Sequence, residues 1–89
     1  MKTIQIRSGD TFSTRKVLAD LVGGGQTRPM TPGEMRKRLR ILDVLDAATG
    51  DSFQLEDADH ALLKEIVGEA VWVVIHRDLI QIIDDVEKA

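Results

Sequence analysis

The chain has 89 residues, 43% of them apolar and 30% charged, with a formal net charge of -3. It is shorter than an average domain and too apolar for a disordered segment, so a single small globular domain over residues 1–89 is expected. The lack of cysteine removes disulfides, thiolate nucleophiles and cysteine-ligated zinc; with no apolar leader and no apolar run longer than Val71–Ile75, a cytoplasmic protein without a membrane segment is expected.

Lys2 to Arg7 alternates, with Ile4 and Ile6 on one side and Thr3, Gln5 and Arg7 on the other, which predicts a short half-buried strand. Gly9-Asp10 punctuates it. Ser13 then caps a short helix through Val22, with Val17, Leu18, Leu21 and Val22 at helical spacing. Residues 23–32 (GGGQTRPMTP) are the clearest loop. Each glycine destabilises regular structure by about 1 kcal/mol relative to alanine, and the two prolines interrupt a ladder. So long a loop in so small a domain reads as a hinge or a partner-facing segment.

Thr31 at the N-cap, Pro32 at the first helical position and Glu34 at the third predict a helix to about Ala48 that stops at Gly50. Its apolar residues, Met35, Leu39, Ile41, Leu42, Val44, Leu45 and Ala48, wrap more than half the circumference, which implies a central helix contacted from two sides. Thr49 to Gln54 is a turn, with a brief extended piece at Phe53–Leu55. Glu56, Asp57 and Asp59 crowd the next helix start, at the positive end of its dipole, ahead of a stripe of Leu62, Leu63, Ile66, Val67 and Ala70. Val71–Ile75 fits either a buried strand or a buried helix turn. An interruption is expected there, because the stripes on its two sides read as separate helices, the last from about Arg77 to Lys88. The fold class is therefore mainly α, a compact domain of three to four helices with one or two short strands; the alternative is α+β with residues 2–7 and 71–75 as strands.

Charge is polarised along the chain. Met1 to Leu42 carries nine Lys/Arg against three Asp/Glu, and Asp43 to Ala89 three against twelve. Either the two halves neutralise each other within one molecule, or a lopsided surface meets a charged partner. Arg36-Lys37-Arg38-Leu39-Arg40 is the one basic cluster. At about 100° per residue Arg36 and Arg40 align, Lys37 lies to one side and Arg38 falls beside the apolar face. Arg36, Lys37 and Arg40, joined by Arg28 from the loop, are the candidate partner-binding residues.

No catalytic residue, cofactor or metal site is expected. His60 and His76 lack a third ligand at zinc spacing, and His76 reads as a hydrogen-bonded residue on the apolar side of the last helix. Gly24-Gly25-Gln26 spells the tripeptide of translation release factors, but the tail (IDDVEKA) is acidic where those proteins are basic. The glycine run is not a phosphate cradle either: no Gly-Lys-Ser/Thr follows, and Pro29 and Pro32 separate it from the next helix. Asp57/Asp59 and Asp84/Asp85 read as solvated helix faces, and Ser8, Ser13 and Ser52 carry no nucleophile signature. An enzyme is not expected. The basic cluster also supports a rival, a DNA-associated small regulator, against which stand the acidic second half and a gap to the next helix too long for a helix-turn-helix. A third alternative is charge-polarised self-assembly, the basic half of one copy meeting the acidic half of the next.

The stretches MTPGEMRKRLRILDVLDAA, LEDADHALLKEIV and LIQIIDDVEKA resemble small uncharacterised proteins of tailed bacteriophages and bacterial prophages, over roughly residues 30–86. The resemblance implies an accessory member of a structural or morphogenesis gene cluster, a small helical protein that binds a larger partner, and it brings no site residues with it. The expected function is a non-enzymatic protein–protein interaction module, its partner phage-encoded or a second copy.

Overall fold

The computed structural model describes residues 1–9, 11–23, 29–70, 72 and 75–89. Asp10, residues 24–28 and Val71, Val73 and Val74 lie outside the described residues. With them go Arg28, the Gly24-Gly25-Gln26 tripeptide, half of the 23–32 loop and the choice between strand and helix at 71–75.

The elements run β1 (Lys2–Gln5), α1 (Thr14–Gly23), α2 (Pro32–Ala47), β2 (Ser52–Leu55), α3 (Asp57–Glu69) and α4 (Arg77–Glu87). This is the mainly helical domain with short strands that the sequence predicts. β1 and β2 pair antiparallel, Ile4 opposite Phe53 and Lys2 opposite Leu55. Alternation buries Ile4, Phe53 and Leu55 against the helices and leaves Thr3, Gln5 and Gln54 exposed. Beyond the paired residues, the Ile6 N–H donates to the Asp51 carbonyl at 2.7 Å. A two-stranded ribbon is marginal in water by itself, so this one depends on the helices packed on its inner face.

Side chains set the helix ends. Ser13 Oγ accepts from the Lys16 N–H at 3.3 Å, and Thr31 Oγ1 from the Glu34 N–H at 3.2 Å with Pro32 opening α2; a cap of this kind contributes about 1 kcal/mol. At the other end of α2 the Arg15 guanidinium donates to the carbonyls of Leu45 and Ala48, in the turn where helix carbonyls lose their regular donors; Leu45 also accepts the Ala48 N–H at 3.4 Å. That contact also fixes the start of α1 against the end of α2.

α2 packs against α1, α3 and β2, the central position its wide stripe implies. The neighbours nevertheless cover less than the stripe. Ile41 and Leu45 are buried, whereas Met35 and Leu39 are 52% and 54% exposed. Ile41 sets the inward direction, and at about 100° per residue Met35 and Leu39 point roughly 120° and 160° away from it. Leu63 and Ile66 of α3, Ile82 and Val86 of α4, Leu18 of α1 and Ile41 of α2 close into one core with the sheet.

α3 ends at Glu69 and α4 begins at Arg77, so the interruption expected between the last two helices is present. His76 is not on the apolar side of α4. It is the N-cap residue, with extended backbone, and its Nδ1 accepts from the Asp78 N–H at 3.0 Å while the ring meets Phe12 edge-on at 5.1 Å between centroids. The helix starts one residue after it, which takes His76 out of phase with Leu79, Ile82 and Val86.

Candidate functional site

The basic cluster of α2 divides among three environments. Arg38 is 3% exposed. Its Nε donates to Glu34 Oε2 at 3.1 Å, its Nη1 donates to the Val22 carbonyl at 3.1 Å, and its Nη2 lies 3.1 Å from Glu34 Oε2 without hydrogen-bond alignment. It therefore anchors the end of α1, where helix carbonyls lack intrahelical donors. Arg40 reaches across to α3 in a two-pronged contact with Asp59, Nε to Oδ2 at 3.1 Å and Nη2 to Oδ1 at 2.8 Å, and Asp59 is buried beneath it. Lys37 is half-buried beside a shallow cleft of about 380 Å³ between α2 and α3, which Ala61 and Glu65 also line. Arg36 alone stands fully on the outer face, with no ion pair among the described residues. Arg28 lies outside the described residues. The structure thus does not gather the sequence-predicted residues into one patch: Arg36 projects outward, Lys37 turns toward α3 and Arg40 is engaged with Asp59.

Charges from the basic and acidic halves meet inside the molecule. Besides Arg40–Asp59, Arg7 Nε lies 2.5 Å from Asp85 Oδ2 with Nη2 3.1 Å from Oδ1, and the N-terminal ammonium sits 3.8 Å from Asp57. Side-chain hydrogen bonding to Asp85 raises the Arg7 pKa above its ordinary value, and hydrogen bonding to Asp59, reinforced by that carboxylate's charge, does the same for Arg40. A raised arginine pKa means that each guanidinium is charged at neutral pH and gives up its proton only in strong alkali. Of the two readings of the charge asymmetry, neutralisation within the molecule is realised at these pairs.

The outer face of α2 is different. Met35 and Leu39 stand one turn apart with more than half of their surface in water. Arg36 sits beside them toward the N-terminus, and Asp43 and Asp46, both exposed, follow toward the C-terminus. Next to Leu42, Asp43 and Asp46 a cleft of about 400 Å³ opens between α2 and α1, walled on the far side by Lys16 and Ala19. The outer face of α2 thus carries an apolar pair flanked by opposite charges, with a cleft adjoining it. The sequence placed Met35 and Leu39 in the stripe without showing that the core stops short of them. The available signal was phase: once Ile41 and Leu45 are the inward residues, Met35 and Leu39 cannot be.

Both histidines have structural partners. His60 is buried and its Nε2 donates to the Val86 carbonyl at 2.7 Å, joining α3 to α4. Among the described residues neither histidine is hydrogen-bonded to a hydroxyl, and no group of three His, Asp or Glu side chains is placed to hold a metal ion. No helix among the described residues is long and apolar enough to cross a membrane.

Fold and surface together define a small, mainly helical domain with a two-stranded ribbon and an outer face of α2 that the described residues leave uncovered. Compared with protein-family models, curated proteins and solved structures, the chain matches none of them.

Proposed function

We propose that this protein is a non-enzymatic interaction module that docks another protein chain through the outer face of α2. The observation that carries the proposal is the pairing of Met35 and Leu39, 52% and 54% exposed, beside an arginine that has no ion pair among the described residues. Two large apolar side chains held side by side in water are costly to leave there, by about 25 cal/mol for each Å² exposed, and burying them against a partner recovers that energy. The proposed setting is the cytoplasm, with which a sequence free of cysteine is compatible. An accessory role in the assembly of a tailed phage is the further part of the proposal; it rests on the resemblance of residues 30–86.

Leu39→Asp tests the docking surface. Because Leu39 is exposed, the variant is expected to keep the wild-type circular dichroism and melting temperature while losing the chains that tagged wild-type protein retains, copies of itself included. Retention unchanged by Leu39→Asp would refute the assignment. The DNA-regulator alternative needs the basic cluster, of which Arg38 and Arg40 are engaged within the fold. Arg36 and Lys37 could neutralise two phosphates, giving a salt slope of only about -2 for log affinity against log salt. A gel shift that finds no complex at low salt removes that alternative; one that persists with sequence preference at moderate salt would replace the interaction module by it.

A further inference from the structure

We infer that the chain received on the outer face of α2 is a second copy of this protein, bound through a two-fold antiparallel α2–α2 contact. The inference rests on the docking surface proposed above and names its occupant.

Met35, Leu39, Leu42 and Asp46 follow one another at steps of four, three and four residues, the spacing that aligns side chains along one seam of a helix pair. The seam is apolar where it begins and acidic where it ends. Arg36 and Asp43, seven residues and so about two turns apart, lie on the same flank of it, and neither has an ion pair among the described residues. The opposite flank is occupied by α1, which Arg38 and Leu45 face.

This arrangement is complementary to itself in one orientation only. Two parallel copies would set the Arg36 and Asp43 flank of each against the α1 side of the other, leaving both charges unmatched. Reversing one copy sets Arg36 of each against Asp43 of the other, twice per dimer by symmetry. The axis then falls between residues 39 and 40, so the two Leu39 side chains meet at the centre. In the same register Met35 of one copy arrives between Leu42 and Asp46 of the other. That is where the cleft of about 400 Å³ opens, with Leu42, Leu45 and Ala19 as its apolar lining. An unbranched, adaptable methionine suits so shallow a hollow. The apolar pair, the unpaired charges and the cleft thus arrive at one register independently. A single helix pair buries less than the roughly 1,200–2,000 Å² of a standard interface, so the dimer is expected to be weak and concentration-dependent.

Sedimentation equilibrium of the full chain, carried to about 1 mM, reads the association. The expected result is an apparent mass that climbs from 9.9 kDa toward twice that value, and for Leu39→Asp a monomer at every concentration. Arg36→Asp alone and Asp43→Arg alone place like charges opposite each other and are expected to weaken self-association by at least about tenfold. An equimolar mixture of these two variants restores two opposite-charge pairs and is expected to associate at least as well as wild type; a parallel or unrelated contact would show no such rescue. A monomer at all concentrations overturns the inference. If Leu39→Asp then still abolishes capture of a different protein, the interaction reading survives without it. A dimer that the mixture fails to rescue overturns the antiparallel register.

Discussion

Where β1 meets α4, charged groups close on one another: Arg7 grips Asp85, and the Asp78 carboxylate accepts from the backbone N–H groups of Thr11 and Phe12. On the outer face of α2, Arg36 and Asp43 face water. Both regions draw on the same polarised sequence, basic early and acidic late. The difference is geometry. β1 and α4 are brought side by side by the core beneath them, so their charges are already within reach, whereas the outer face of α2 has no neighbour among the described residues to match its charges. Charge asymmetry in a sequence therefore has no single meaning; which element the core turns inward decides it.

Replacing anchors on the inward side should break this contrast most strongly. Arg38→Ala removes the donor to the Val22 and Leu21 carbonyls and the cation beside Glu34, and losing one member of a buried pair costs about 3–5 kcal/mol. For a domain this small that is a large share of the available stability, so urea titration is expected to show a much lower midpoint than wild type. A midpoint equal to wild type would show that Arg38 is no anchor. Gly9→Ala comes next. A Cβ at Gly9 would run into the Asp78 carboxylate and the Phe12 carbonyl, displacing the loop from α4 at a cost of about 1–3 kcal/mol, read as a lower melting temperature. The smallest effect sharpens the comparison. Arg36→Ala should leave stability within about 0.5 kcal/mol of wild type, because the side chain holds nothing in the fold. Its effect belongs to association, and a substantial loss of stability would mean that Arg36 has an internal role.

Local chemistry made most of the helices legible. Thr31, Pro32 and Glu34 mark the start of α2 to the residue, Ser13 does the same for α1, and the alternation of Lys2–Arg7 announces β1. The pairing of β1 with β2 was not legible, since partners so far apart in sequence are chosen by the core that forms between them. At His76 the apolar phase was read one residue too early, and the capping geometry of α4 decides the matter. The candidate surface was half legible. Arg36 is where its spacing puts it, but the engagement of Arg40 by Asp59 depends on α3 crossing at the right height, and the exposure of Met35 and Leu39 depends on where the neighbouring helices end. Composition can show that a helix is apolar on a wide arc, but only packing shows how much of that arc is covered.

Ile4 and Val86 are both wholly buried and belong to the same core, although they lie near opposite ends of the sequence. During synthesis on the ribosome β1 emerges long before α4, and until α4 arrives Leu63 and Ile66 lack the helix that joins them in the core. Closure of so non-local a core is a late step. A product cut short before α4 would leave Leu63 and Ile66 without that cover, exposing apolar surface of the kind that makes partly folded chains aggregate.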